Sequence, residues 1–175
     1  QTDEFREAKE LAEEIVAKYT LSSPPVLVEE IIEDYDLKLA FIDLKEKSSE
    51  ISGLFDPRSN TIFVNIKESP QRQRFTIAHE IGHALLHAEK LKNDPDLGIF
   101  YRKSIENTES SGKYVIEEKQ ANHFAAHLLM PEHLLEKFSP LCNGSLLSLA
   151  EIFNVSTQAL RYHLRNLKML GIVNE

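Results

Sequence analysis

Two histidines and a glutamate with the spacing of a metal site stand near the middle of the chain, in the pentapeptide His79-Glu80-Ile81-Gly82-His83. Residues four positions apart differ by only about 40° around an α-helix, so both imidazoles can approach one ion from the same face. Zinc accepts imidazole nitrogen and, in catalytic sites, keeps one coordination position for water. Glu80 lies one step round the helix, where its carboxylate could act as the general base on that water. The spacing therefore predicts a catalytic zinc site.

A third protein ligand must come from another part of the chain. The metzincin pattern would place glycine and histidine where this chain has Leu86 and Glu89, so that class is excluded. A helix predicted over about 115–130 offers four candidates, which are Glu117, Glu118, His123 and His127. Glu118 is favoured because it borders the apolar face of that helix. Asn122, one turn later, could orient a liganding imidazole.

The HExxH pair requires a helix, and the flanking residues predict one over about 69–87. Ser69-Pro70 supplies an N-cap followed by proline at the first helical position. The face away from the histidines is apolar and contains Phe75, Ile77, Ala78, Ile81, Leu85 and Leu86. Gly82 costs about 1 kcal/mol relative to alanine inside a helix, so we expect a close helix contact there, against Ala125 or Ala126.

The remaining pattern predicts an α+β fold with a small β-sheet. Before the metal motif we expect an amphipathic helix over about 5–19, a short helix over about 28–35 and a strand over 37–41. Residues 51–55 and 61–66 flank a turn that contains proline and asparagine, which predicts a β-hairpin. Residues 90–113 are polar and irregular, with one short strand expected at 99–103.

The sequence also contains histidines outside the motif and polar residues that could stabilise an oxyanion. Histidines outside the motif are expected to be exposed or loosely packed, because neutral imidazole is common at half-buried helix positions; they are His87, His123, His127 and His133. A donor that stabilises an oxyanion should also exist, and the candidates are Tyr101, Arg102, Tyr114 and His123.

Composition indicates a soluble globular protein, since 42% of the 175 residues are hydrophobic and 27% are charged. No apolar run approaches the roughly 18 residues of a membrane span, and the acidic start differs from a secretory signal. The single cysteine, Cys142, cannot form an internal disulfide, which fits a reducing compartment. We therefore expect a cytoplasmic protein that is not bound to a membrane.

The charge distribution weighs against general nucleic-acid binding. The formal net charge is -8, and the first fifty residues carry 14 acidic and 6 basic residues. A protein that neutralises phosphates needs a concentrated basic face.

The C-terminal tail, residues 141–175, has the pattern of a helix-turn-helix, with two helical segments interrupted at 154–156. The second segment presents Arg161, His163, Arg165 and Lys168. Residues 145–175 contain three lysine or arginine residues and two acidic residues, a net of +1, which is a weak basis for binding phosphates. We therefore predict that the tail packs on the preceding domain or docks a protein partner, and DNA binding is the rival function.

Two segments resemble the ImmA/IrrE family of zinc metallopeptidases. They are residues 75–87, FTIAHEIGHALLH, and residues 118–131, EKQANHFAAHLLMP. Pro24-Pro25-Val26, the strand at Ser52-Gly53 and the tail over 156–170 are also similar, so the resemblance spans most of the chain.

The resemblance implies a zincin-like, gluzincin-type peptidase domain over residues 1–140, with His79, His83 and Glu118 as metal ligands and Glu80 as the catalytic residue. It implies a zinc endopeptidase that cleaves a helix-turn-helix repressor and so relieves repression in a mobile element or a stress response. Manganese is an alternative metal, because the ligand types suit both ions. The alternative function is a DNA-binding or protein-binding regulator in which the metal is only structural.

Overall fold

The computed structural model describes residues 3–19, 22–43, 52–93 and 115–173. The helices are α1 (Asp3–Lys18), α2 (Val28–Asp34), α3 (Pro70–Asn93), α4 (Val115–Leu129), α5 (Glu132–Phe138), α6 (Leu146–Phe153) and α7 (Thr157–Asn166). The strands are β1 (Lys38–Ile42), β2 (Gly53–Asp56) and β3 (Thr61–Asn65). Short 3-10 helices cover Ser139–Cys142 and Leu170–Ile172. The predicted α+β class with a small sheet is confirmed, and the strand expected at 99–103 lies outside the described residues.

The sheet has the order β1-β3-β2, with β3 in the centre. β2 and β3 form the predicted antiparallel hairpin. Its turn is fixed by the carboxylate of Asp56, which accepts hydrogen bonds from the backbone N–H of Arg58 and the hydroxyl of Ser59 at 3.0 and 2.7 Å. β1 pairs in parallel with β3, a pairing that the sequence pattern did not predict. The order leaves β2 at the edge of the sheet, beside α3.

Helices α3 and α4 pack closely, and Gly82 lies at their contact. A Cβ atom at this position would stand 3.0 Å from Cδ1 of Phe124 and 3.2 Å from Cα of Ala121. The expected close helix contact is therefore present, but its partners are Ala121 and Phe124 rather than Ala125 or Ala126. This approach sets the distance between the two helices that carry the candidate metal ligands.

The tail shares the hydrophobic core of the body. Phe153 of α6 and Leu160 and Leu164 of α7 are fully buried in one cluster with side chains of α1 to α4. The turn between α6 and α7 has Asn154 in the left-handed conformation, and Ser156 caps α7 by accepting a hydrogen bond from the N–H of Ala159. The boundary between residues 140 and 141 and the helix-turn-helix assignment stay predictions.

No helix within the described ranges has both the length and the apolar character needed to cross a membrane.

Three histidines form an array where α1, α4 and α7 meet. The ring of His127 lies 4.4 Å from that of His123 and 4.8 Å from that of His163, centre to centre. His127 and His163 are each 2% exposed, so the expectation of a loosely packed His127 and an exposed basic His163 was wrong. His163 Nε2 lies 3.1 Å from the carbonyl oxygen of Met130, which explains its inward orientation. Among the described residues, Nε2 of His123 and of His127 has no hydrogen-bond partner.

Burial keeps this array uncharged. It lowers the pKa of His127 to about 3 and that of His163 to about 4, and the positive charge of Lys9 on α1 acts in the same direction. In the unfolded chain the same imidazoles take up protons below about pH 6.5. Their contribution to stability is therefore complete above that pH and is lost progressively as the pH falls toward 4, because the unfolded state then binds more protons.

We predict that His127→Leu, which removes a buried imidazole with an unpartnered nitrogen, reduces the loss of stability between about pH 7.5 and about pH 5. Urea unfolding at the two pH values measures this loss. The matched control is His133→Leu at an exposed position, which should keep the pH dependence of the wild type. An unchanged pH dependence in His127→Leu would show that the array does not titrate as described.

Candidate metal centre

The structure brings His79, His83 and Glu118 together between α3 and α4. The histidines project from successive turns of α3, and their Nε2 atoms lie 3.0 Å apart. Glu118 comes from the first turn of α4. Its Oε2 lies 3.3 Å from Nε2 of His79, and its Oε1 lies 3.3 Å from Nε2 of His83. Donor atoms of three side chains from two helices therefore face a common point.

The donors fit a divalent cation by both distance and chemistry. A tetrahedron around zinc with bonds of about 2.0 Å has edges of about 3.3 Å, close to the separations of these atoms. Two imidazole nitrogens and one carboxylate are a ligand set that zinc accepts in catalytic sites. Within the described residues, these three are the one group of three or more potential ligands that lie within 4.8 Å of one another.

The other sequence candidates for the third ligand lie elsewhere. Glu117 pairs with Lys90 near the end of α3 and is not part of the cluster of His79, His83 and Glu118. His123 and His127 belong to the array beside α1. The oxyanion-donor candidates Tyr101, Arg102 and Tyr114 lie outside the described residues.

Burial and hydrogen bonding set the charges of the three donors. Burial lowers the pKa of His83 to about 4, so its imidazole is neutral at pH 7 and carries a lone pair. Burial alone would lower the pKa of His79, but the contact with the Glu118 carboxylate and the nearby charge of Glu80 raise it overall. Burial would raise the pKa of Glu118, yet its close contacts with the imidazoles of His79 and His83 hold that pKa well below its usual range. The cluster thus offers two imidazoles and an ionised carboxylate.

Glu80 lies beside the three donors in an apolar setting. It is 5% exposed, and burial raises its pKa to about 7. The backbone N–H of Phe55 on β2 donates a hydrogen bond to its carboxylate, whereas its Oε2 has no partner among the described residues. A carboxyl group with this pKa can both accept and release a proton near neutral pH.

The predicted contact of Asn122 is present. Its Oδ1 lies 3.1 Å from Nδ1 of His79. An amide oxygen accepts hydrogen bonds, so Nδ1 of His79 carries the proton and Nε2 keeps its lone pair for a metal.

Sequence reasoning missed His87 and Gln120. His87, expected to be exposed or loosely packed, is 6% exposed. Its Nδ1 lies 3.0 Å from Nδ1 of His83, and its Nε2 lies 3.0 Å from Oε1 of Gln120. The available signal was the spacing: His87 follows His83 by four residues, as His83 follows His79, so all three share one helix face.

A model of the peptidase family described as the IrrE N-terminal-like domain matches residues 32–165. The chain is 38% identical over 116 residues to the radiation response metalloprotease IrrE of Deinococcus radiodurans, an alignment that covers 64% of this chain and 33% of that protein. It is 30% identical over 137 residues to the metallopeptidase ImmA of Bacillus subtilis, covering 77% and 74%. The chain spans 53% of the IrrE of Deinococcus deserti, and thus a third to about half of the two Deinococcus relatives. The names of these relatives imply a metal.

A solved structure described as a Mycobacterium tuberculosis transcriptional regulator has a similar fold, with a TM-score of 0.65 and 16% identity. The match covers 91% of this chain and 47% of that one. At this level of identity the likeness shows the fold alone.

We predict that Glu118→Gln weakens zinc binding by about 100-fold or more, because the substitution removes the charged ligand and leaves two neutral imidazoles. Isothermal titration with zinc measures the affinity. Glu117→Gln is a matched control at the adjacent position, since its carboxylate pairs with Lys90, and it should bind zinc as the wild type does. Loss of binding in Glu117→Gln but not in Glu118→Gln would reverse the assignment.

Proposed function

Because the chain belongs to the family of the IrrE N-terminal-like peptidases, we propose that it is a zinc-dependent endopeptidase with a zincin-like site. Its metal ligands would be His79, His83 and Glu118, and Glu80 would be the general base. One observation carries the proposal: two imidazoles and a carboxylate converge at 3.0 to 3.3 Å beside the buried Glu80.

A cation bound by these donors supplies Lewis-acid chemistry, which polarises a peptide carbonyl and makes water more acidic. Zinc is the metal that we propose, because it accepts this mixture of nitrogen and oxygen ligands with open coordination. The same donors would also accept manganese.

The protein's own contribution is to place a proton acceptor and to orient the donors. Glu80 accepts the proton of the attacking water at Oε2, the oxygen that has no partner among the described residues. The hydrogen bond from the N–H of Phe55 keeps the carboxylate in place during this transfer. Once it is protonated, Glu80 can deliver this proton to the nitrogen of the leaving amine.

We propose that the substrate binds as an extended strand along β2, the edge strand of the sheet that lies beside α3. Backbone pairing with an edge strand holds a peptide straight. Phe55 lies on this strand and contacts Glu80 through its N–H, so a peptide added there would pass close to the general base.

The substrate class that we propose is a helix-turn-helix transcriptional repressor, and the support for this step is the family resemblance. Cleavage of such a repressor would relieve repression in a mobile element or a stress response. Because repressors act on chromosomal DNA, the proposal places the enzyme in the cytoplasm.

We predict that Glu80→Gln lowers the rate of repressor cleavage by a factor of about 100 to 10,000 and leaves zinc binding intact, since the amide cannot accept the proton. The substrate to test is a helix-turn-helix repressor, chosen from the reading frames next to this gene, and cleavage is followed by gel electrophoresis with zinc content measured in parallel. Glu89→Gln, at an exposed position of the same helix, is the control. Cleavage at the wild-type rate by zinc-loaded Glu80→Gln would contradict the mechanism.

DNA binding by the tail is the second candidate function. Arg161, Arg165 and Lys168 are exposed on or just after α7, which favours it. His163, the fourth member of the basic set that the sequence indicated, is instead buried. The basic face is therefore smaller than the sequence pattern suggested, and we propose docking of the protein substrate as the role of this surface.

We predict no gel shift of the neighbouring promoter at about 0.15 M salt, because the net charge of the tail, near +1, releases too few counterions on binding.

If this surface docks the protein substrate, Arg161→Ala combined with Arg165→Ala should slow repressor cleavage by raising KM. A shift that is sensitive to salt and that disappears in this double variant would establish DNA binding instead.

A further inference from the structure

We propose that His87 and Gln120 are positioning residues that fix the tautomer and the orientation of His83 through a relay of two hydrogen bonds. This inference rests on the proposed function, because it assigns His83 as a metal ligand. Neither residue reaches the donor cluster itself, so their effect must pass through His83.

The relay lies in the buried contact between α3 and α4. His83 and His87 are 1% and 6% exposed, and their Nδ1 atoms are 3.0 Å apart. From α4, Oε1 of Gln120 lies 3.0 Å from Nε2 of His87. The chain of contacts thus runs from α4 through two imidazoles to Nε2 of His83, which faces Glu118 at 3.3 Å.

Which nitrogen donates in each hydrogen bond follows from the acceptor at the end of the relay, Oε1 of Gln120. The amide oxygen of Gln120 has no proton to donate, so Nε2 of His87 must donate to it. A neutral imidazole carries one N–H, and Nδ1 of His87 is therefore an acceptor. It can only accept from Nδ1 of His83. When a metal replaces the proton between His83 and Glu118, the single proton of His83 therefore lies on Nδ1, and its Nε2 presents a lone pair to the metal.

The opposite arrangement is incompatible with metal binding by His83. If the Gln120 amide were turned to donate, His87 would accept at Nε2 and donate from Nδ1. Nδ1 of His83 would then be the acceptor, and its proton would move to Nε2, between His79 and Glu118. The orientation of one amide on α4 thus favours or disfavours the tautomer of His83 that binds a metal.

Each ligand histidine is oriented by hydrogen bonds that lead from its Nδ1 to an amide oxygen on α4. One hydrogen bond is enough for His79, whereas His83 needs two in series. Nδ1 of His79 donates directly to an amide oxygen of α4, that of Asn122. Nδ1 of His83 lies one helical turn further along α3, and His87 spans the distance to the amide oxygen of Gln120. Partners of this kind typically change metal affinity by about 10-fold to 100-fold when they are removed.

The decisive experiment compares two substitutions at one position. Gln120→Glu keeps an oxygen that only accepts, so the relay predicts zinc affinity within about threefold of the wild type. Gln120→Leu removes the acceptor and should weaken zinc binding by about 10-fold or more, as should His87→Leu. Competition with a chromogenic zinc chelator measures all three affinities, and His133→Leu at an exposed position is the control.

A spectroscopic readout separates positioning from packing. In the zinc-loaded wild type, nitrogen-15 NMR of the histidine rings should show His83 with its proton on Nδ1, donated in a hydrogen bond. That signal should persist in Gln120→Glu and lose its hydrogen-bond shift in His87→Leu. Gln120→Glu and Gln120→Leu keep nearly the same side-chain shape, so they test the relay even if His87→Leu does not fold.

The relay would be overturned by wild-type zinc affinity in Gln120→Leu, or by equal loss of affinity in Gln120→Glu and Gln120→Leu. Either result with a zinc-binding, active wild type would leave the peptidase proposal standing. Absence of zinc binding and of cleavage in the wild type would instead refute the proposed function itself.

Discussion

The close packing of α3 against α4 is the constraint on which the rest of the structure depends. At Gly82 the helices approach so closely that a single added Cβ would stand 3.0 Å from the buried ring of Phe124. This approach brings two imidazoles on one helix within 3.3 Å of a carboxylate on the other. It also buries His83 fully and His79 and Glu118 in part, and buried polar groups are costly unless each has a partner. The hydrogen bonds around the site supply these partners.

Each reactive group keeps one atom bound to the protein and one atom turned inward. His79 uses Nδ1 to contact Asn122, and His83 uses Nδ1 to contact His87. Glu80 is held by the N–H of Phe55 and retains an Oε2 without a partner in the described part of the chain. The atoms that remain are the ones that a metal ion and a water molecule need. The hydrogen bonds to Nδ1 of the two histidines and to the Glu80 carboxylate thus orient the atoms that would bind the metal and accept the proton.

The sequence predicted the parts of the site that depend on local spacing. The four-residue step of HExxH, the choice of Glu118 over Glu117 and the contact of Asn122 all follow from positions around a helix. The β2–β3 hairpin followed in the same way from its turn residues. These features depend only on the geometry of a single helix or hairpin, and the spacing of residues along the sequence indicates that geometry.

The features that sequence could not predict depend on contacts between elements. The spacing places His87 on the face of His79 and His83, but its contact with Gln120 depends on another helix, as do the contacts of His127. The inward orientation of His163 depends on the carbonyl of Met130, which is 33 residues away. The parallel pairing of β1 with β3 likewise involves a partner that no local pattern specifies.

The most direct test is anomalous diffraction at the zinc edge from crystals grown with one equivalent of zinc. The account predicts one dominant peak, bonded to Nε2 of His79, Nε2 of His83 and the carboxylate of Glu118, with Glu80 beside it. A fully occupied zinc ion bound by other residues, with Glu118 turned away from the two imidazoles, would contradict it.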